Sequence, residues 1–493
     1  MRKYFTLFLL PLLFSLIGCS GFLDREPLDE IVSDNFYRTP SEVNSALLSA
    51  YVALQDLDWY GKAWMMLEVP SDNSQPGGTD PEFSPIDNFT MNGDTPPVAT
   101  FWATRYRLIT FSNIILSKIP NSELDEVQSN VFSAEARFLR GLAYFDLVRI
   151  YGGVPLITTP PVQGENMLFE RDLANDVYAF IKEDLAFAVD HLPLRRGGEN
   201  LGRATKGSAA ALLAKVHLTR REYGQSRDRA KQVIDSGEYA LMADYADNWR
   251  LETADNNSEA IFQVQYSGCG AFGTGNAMQA FFAPWGEGIT KDRDGWGSQI
   301  PTSPVNNNPG TTISDAFEDN DLRKDPTIMT PNTHYPEINA IDGGYTYPSN
   351  GASASMTNIK KYVVGSGGNI CFMSTPMNAH LIRYADVLLI YAESLMEIQG
   401  GETANAEALQ YFNEVRARAG LEDLAFINRE IMLEERRLEF AFENQRWFDL
   451  VRTGKAVELL TLHGKNIQNH HVLFPLPSAE LETNPLLTQN PGY

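Results

Sequence analysis

Apolar residues recur at three- and four-residue spacing through most of this chain, the period of a helix that buries one face. Between Ser41 and Leu57, the residues Val43, Leu47, Ala50, Leu54 and Leu57 share such a face, and Pro40-Ser41 followed by Glu42 reads as its start. The same pattern predicts helices over Val98–Lys118, Ser129–Tyr151, Leu173–His191, Lys206–Arg220, Ser226–Ser236, His380–Gln399, Ala404–Ala419 and Asn428–Thr453. Two of the helix pairs resemble each other. Ala214 and Ala230 in the first lie sixteen residues apart, as do Ala392 and Ala408 in the second. Small residues at matched points let two antiparallel helices approach closely, the packing of tetratricopeptide hairpins. The fold class expected is mainly α, built on tetratricopeptide-like hairpins.

Periodicity fails from about 261 to 376, a stretch dense in Gly, Pro, Asn, Ser and aromatic residues, whose most regular piece is the strand-like run Ala260–Tyr266. A second irregular stretch runs from Pro70 to Pro97. The expected layout is therefore a helical scaffold over about 40–260 and 377–493, carrying one long loop-rich insertion. Long loops on a rigid scaffold are where binding residues concentrate.

With 43% hydrophobic and 21% charged residues, the 493-residue chain is too apolar to be disordered and long enough for a large core. Its net charge of −23 repels phosphate backbones and makes nucleic acid a poor partner. Three cysteines cannot build a disulfide framework, and whether Cys269 and Cys371 pair is open at this point. The N-terminus reads as a signal segment over 1–18: a basic start at Arg2 and Lys3, an apolar run too short to span a bilayer, then Gly18-Cys19. Leu16-Ile17-Gly18-Cys19 resembles the bacterial lipobox, which implies lipidation of Cys19 and a membrane held through that anchor.

Several segments in order along the chain resemble the SusD/RagB family of outer-membrane nutrient-binding lipoproteins. They include Phe22-Leu23-Asp24, Phe101-Trp102, Ala134–Phe145 with Tyr151-Gly152-Gly153-Val154-Pro155-Leu156, and Arg203-Ala204-Thr205-Lys206. Later come Arg383–Leu389 with Tyr391-Ala392-Glu393, Asn413–Leu421, Glu435–Glu443 running into Arg446–Arg452, and the ending Asn490-Pro491-Gly492-Tyr493. The resemblance implies a helical fold, no catalysis, glycan capture on the exterior of the outer membrane, and docking onto a SusC-like TonB-dependent transporter. No cofactor is implied.

Candidate chemistry divides into charge and rings. Glu435, Glu439 and Glu443 stand at four-residue spacing among Arg436, Arg437, Arg446, Asp449 and Arg452, a setting that lowers carboxylate pKa values and suits ion pairs better than a general acid. Arg137 and Arg140 are expected to pair with Glu135 or Asp146. Asp319-Asn320-Asp321 begins like a calcium loop but continues with Arg323 and Lys324 where a ligand and the turn glycine belong. Sugar rings pack on flat aromatic faces while amide and carboxylate groups take their hydroxyls. Trp59, Tyr60, Trp64, Asp72, Asn73, Trp285, Trp296, Tyr335, Tyr345 and Tyr347 are the loop residues able to build such a platform. The ligand set expected is Trp285, Trp296, Asp72, Asn73, Trp59, Tyr60 and Tyr345, with Trp285 and Trp296 foremost because glycines flank both. One rival reading, a secreted glycoside hydrolase, would draw its acid pair from Asp72, Asp80, Glu82 and Glu287; another is a transporter-stabilising subunit with little ligand contact.

Overall fold

The computed structural model describes residues 37–77, 80–161, 168–269, 275–284, 289, 298–299, 312–348, 357–368, 370–371 and 373–493. The signal segment, Cys19, Trp285, Glu287 and Trp296 lie outside them. Helices dominate: α1 (Pro40–Val52), α2 (Lys62–Glu68), α3 (Pro96–Lys118), α4 (Glu126–Tyr151), α5 (Ala174–His191), α6 (Lys206–Thr219), α7 (Tyr223–Asp235), α8 (Tyr384–Ile398), α9 (Ala406–Arg418), α10 (Arg429–Glu439), α11 (Arg446–Thr453) and α12 (Ala456–Leu462). None of the described helices is long and apolar enough to cross a membrane.

Helix starts follow from local chemistry. The Thr39 hydroxyl accepts from the Glu42 amide while the Glu42 carboxylate accepts from the Thr39 amide at 2.8 Å, so two otherwise orphaned donors are satisfied. Asp125 and Gln128 repeat this box at α4 and begin that helix three residues before the periodicity alone would place it. Thr205 with Ser208 does the same at α6.

The helices pack in chain order: α3 on α4, α4 on α5, α5 on α6, α6 on α7, α7 on α8 and α8 on α9. The two tetratricopeptide-like hairpins are α6/α7 and α8/α9, and the matched alanines Ala214, Ala230, Ala392 and Ala408 are all fully buried. Their contact is sealed by hydroxyls, Ser226 donating to the Ala214 carbonyl at 3.0 Å and Ser394 bonding Ser226 at 2.9 Å.

Three expectations are corrected. The stretch from His380 does not open as a helix: Ala379–Arg383 is a strand, β4, antiparallel to β1 (Ala260–Val264), and α8 starts only at Tyr384. The long helix expected over Asn428–Thr453 breaks into α10 and α11, because Phe442 and Asn444 adopt φ of +65° and +57° between them. Arg137 and Arg140 pair with Asp184 on α5, Arg140 at 2.8 Å. The carboxylates expected there are taken elsewhere, Glu135 by Arg196 and Arg203, Asp146 by Arg105 and Arg149.

The described insertion is poor in regular structure. Two-residue strands form a four-stranded patch in the order 75–76, 298–299, 358–359, 328–329. A short hairpin pairs β2 (His334–Tyr335) with β3 (Tyr345–Thr346). A small apolar cluster of Ala283, Ile289, Met329, Tyr335, Ile338, Tyr347 and Val363 lies beneath it, separate from the main core. Cys269 and Cys371 form a disulfide at the neck of the insertion, where Asn276 and Thr375 also exchange backbone hydrogen bonds.

Candidate functional site

The acidic ladder is the frame on which the insertion sits. Glu435 and Glu439 point from α10, and Glu443 from the turn after it, into a cluster of cations contributed by distant segments. Arg383 of β4 reaches Glu443 at 2.8 Å, Glu439 at 2.9 Å, and also Glu259. Arg418 of α9 takes Glu439 at 2.6 Å and Glu259 at 3.1 Å. Two further cations come from the insertion itself: Arg323 pairs with Asp321, Glu435 and Glu439, and Lys361 pairs with Glu443 while donating to the Ala441 carbonyl.

Burial alone would raise the Glu439 pKa, yet three guanidiniums, those of Arg418, Arg383 and Arg323, outweigh it and bring the carboxyl to about 2. Glu443 is lowered for the same reason by Arg383 and Lys361. Carboxylates held ionised in this way fasten loops; they do not deliver protons. Asp321, the head of the calcium-like sequence, is spent on Arg323, and among the described residues no group of three or more His, Cys, Asp or Glu could hold a metal ion.

Four of the residues expected at a sugar platform turn out to be scaffold. Trp59 is 1% and Tyr60 7% exposed; with Trp64 they form a buried aromatic chain, Tyr60 and Trp64 having centroids 5.4 Å apart. Arg105 lies 4.2 Å above the Trp59 ring, so that face is occupied by a cation. Asp72 takes both arms of Arg446 at 2.7 Å and has Arg437 at 3.6 Å. Although burial opposes ionisation, these two arginines hold its carboxyl far below the usual range. The Asn73 carbonyl oxygen accepts from Arg437 at 2.9 Å. Irregular sequence suggested exposure at 72–73; two arginines more than 360 residues away in sequence draw the segment inside.

The same geometry weakens the hydrolase reading. Asp72 is fully ion-paired, the Asp80 carboxylate caps the Glu82 and Phe83 amides, and Glu82 pairs with Lys62 at 3.1 Å. The carboxyl pushed closest to neutrality, Glu68 at about 8, owes this to burial and is 1% exposed.

Tyr345 has a different setting. It sits half-buried on β3, one side against the small apolar cluster, opposite Tyr335 in register. Tyr335 and Tyr347, also candidates, are 4% and 0% exposed and act as its support: the Tyr335 hydroxyl accepts from the Thr330 amide at 2.7 Å, and Asn358 donates to Tyr347. Around the Tyr345 hairpin, His334 is exposed and Ile341 is 77% exposed at the tip. Asn339 fixes the tip, accepting from the Ser366 amide at 2.6 Å and donating to the Ile289 carbonyl at 2.9 Å. The hairpin thus carries one half-buried ring, an exposed aliphatic and an exposed imidazole. Sequence reading missed Ile341 and His334, and neither carries a local signal beyond its Gly- and Asn-rich surroundings.

Comparison with known proteins gives the same picture along the whole chain. The SusD family profile matches residues 243–493, and a second profile, described as starch-binding associating with outer membrane, matches residues 21–218. The chain is similar to SusD-like protein P2 of Formosa agariphila, at 29% identity over 528 aligned positions that cover 100% of both chains. Among solved structures it is similar to a laminarin-binding SusD-like protein, with a TM-score of 0.77 and 28% identity over 93% of this chain and 100% of that one. It is also similar to surface glycan-binding protein A from Bacteroides fluxus, with a TM-score of 0.77 and 25% identity over 92% of this chain and 100% of the other.

Proposed function

The chain belongs to the SusD family, and on that premise we propose that it is a non-catalytic surface receptor for oligosaccharide. It is tethered through lipidated Cys19 to the outer membrane, faces the cell exterior, and passes its ligand to a SusC-like TonB-dependent transporter. The observation that carries this reading is the contrast within the site. Every described carboxylate of the acidic ladder is locked to arginine or lysine, while the insertion it fastens carries Tyr345 half-buried on a hairpin whose His334 and Ile341 are exposed. Similarity to a laminarin-binding protein supports a glycan as the ligand.

In this reading Tyr345 is one element of the sugar platform, and Trp285 and Trp296 of the same insertion are the others. A ring packed on the C–H face of a sugar gains apolar contact, but hydroxyls exchange water for protein partners with little net gain, so affinity per site is on the order of micromolar to millimolar. Tethering beside a transporter makes such affinity sufficient, since it raises the effective concentration of captured ligand.

The test is a binding screen of the purified mature protein against a glycan panel that includes laminarin, run alongside a product assay. Retention without products is expected, together with loss of retention in Trp285→Ala and Trp296→Ala. Release of shorter sugars would overturn the receptor reading, and an unmodified mature N-terminus by mass spectrometry would overturn the anchor.

A further inference from the structure

A cleft of about 520 Å³, lined by none of the Tyr345 hairpin's residues, is bounded by the α6–α7 turn, α8, α10, α11 and α12. Its size is that of a small-ligand site. The floor is apolar: Leu218, Met396 and Met432 are 2%, 1% and 1% exposed, and Leu433 and Leu459 extend it. Methionine side chains make such a floor adaptable to different aliphatic shapes.

The walls are charged, and the charges balance. Five Arg or Lys and five Glu line the cleft in a chain whose net charge is −23. Most are already engaged. Arg452 holds Glu393 through both arms, at 2.5 and 2.8 Å; Arg429 holds Glu397 at 2.7 Å; Lys455 holds Glu458 at 2.8 Å; and Arg446 is committed to Asp72. Two are left over. Arg221 has no carboxylate partner among the described residues, and its guanidinium is steadied by donation to the Arg452 carbonyl at 3.0 Å. Glu430 forms no salt bridge among them, and acts on Arg429 and Lys455 only through the electrostatic field. Arg221 also adopts φ of +59°, a left-handed conformation that a large side chain rarely takes and that marks a functional candidate. The cleft therefore presents one uncommitted cation, one uncommitted anion and an apolar floor.

We propose that this cleft is a second ligand site, which takes a small zwitterion with an apolar side chain, such as a short unblocked peptide. Its carboxylate is received by Arg221, its ammonium by Glu430, and its side chain by the Met396 and Met432 floor. A neutral sugar can hydrogen-bond Arg221 and Glu430 but compensates neither charge, and the thioether and aliphatic floor returns little to its hydroxyls. The site is independent of the glycan reading, since none of its residues belongs to the insertion.

Calorimetric titration of the mature protein with the tripeptide Ala-Leu-Ala tests the site. Binding is expected, and the same peptide acetylated and amidated should bind at least tenfold more weakly. Arg221→Glu and Glu430→Lys, both at exposed positions, should each cost at least tenfold with an unchanged melting temperature. The double variant should recover part of the loss by accepting the peptide reversed. Absence of binding at millimolar peptide, or equal binding of free and blocked peptide, overturns the proposal. Competition between the tripeptide and laminarihexaose would overturn the independence of the two sites, whereas failure of the glycan alone to bind would leave the peptide result standing and refute only the receptor reading.

Discussion

The helical scaffold and the loop-rich insertion are held by different physics. In the scaffold, contacts repeat: an apolar stripe on each helix, alanines where helices cross, and a capping residue at many of the starts. The insertion's described residues have little periodicity; besides side chains such as Phe281, Phe282, Ile313, Ile328 and Tyr362 that enter the main core, they are held by single long-range ties, namely Arg323 and Lys361 to the acidic ladder, the Cys269–Cys371 disulfide, and a small apolar cluster under Tyr345. A scaffold made of many small terms loses little when one is removed, whereas an insertion made of a few large terms depends on each of them.

The largest effect is expected where both regions meet. Arg383 is 2% exposed and serves Glu259, Glu439 and Glu443 together. Arg383→Met leaves buried carboxylates short of a partner, at a cost of about 3–5 kcal/mol. Thermal unfolding followed by circular dichroism should show it, and a drop of less than about 1 kcal/mol would mean that Arg418, Arg323 and Lys361 suffice without it. Next comes the neck. Replacing Cys269 and Cys371 by Ser frees a loop of 102 residues, for which a chain-entropy argument gives an upper figure of about 4.7 kcal/mol and typical disulfides about 2–4 kcal/mol. The loss should be regional: helical content preserved, with limited proteolysis accelerated inside 270–370.

How much of this was legible in the sequence follows the same division. Helix positions were legible because a 3.6-residue period needs only local information, and the matched alanines at 214, 230, 392 and 408 marked the crossings that are found buried. The breaks were not legible. Nothing in Glu439–Gln445 announces that Phe442 and Asn444 turn left-handed, since the helix is interrupted by what it meets: Trp64 donates to the Phe442 carbonyl at 3.0 Å, and the Asn444 amide donates to Glu68 at 3.2 Å. The ladder's role as ion pairs was legible from composition, but its partners Arg323, Arg383 and Arg418 were not, because pairing across 21 to 116 residues leaves no local trace. The burial of Trp59, Tyr60, Asp72 and Asn73 was hidden for that reason: irregular sequence was read as exposed surface, and distant arginines had made it interior.

A smaller effect isolates the junction by pH. Glu68 is buried beside Asn444 and Ser71, with Lys361 and Asp72 as its charged neighbours, and burial raises its pKa to about 8. An unfolded glutamic acid ionises near pH 4.3, so between that pH and about 8 the folded chain holds a proton that the unfolded chain has released. Stability therefore falls as pH rises through this window, by at most about 1.4 kcal/mol per unit from this group, and the slope ends above pH 8. Glu68→Gln keeps the shape and removes the titration. Chemical denaturation at pH 5, 7 and 9 should find the variant gaining on the parent as pH rises, and parallel curves would assign the proton elsewhere.

The smallest effect on stability should fall on Tyr345, and it sharpens the comparison most. The ring lies at the edge of the small cluster, with Tyr335 and Tyr347 buried behind it and the hairpin tip fixed by Asn339. Tyr345→Ala removes contacts on one side of a half-exposed ring, so the cost should stay under about 1 kcal/mol, in the range of surface substitutions. If the ring packs on a sugar, the same change should weaken glycan retention severalfold, since an offset ring contact contributes about 0.5–1.5 kcal/mol beyond buried area. Tyr347→Ala is the matched control: at 0% exposure it should cost several kcal/mol of insertion stability, with any loss of binding following from that. Binding lost in Tyr345→Ala with the fold intact places the ring in contact with ligand, whereas binding and stability lost in the same proportion in both variants would make Tyr345 another piece of support.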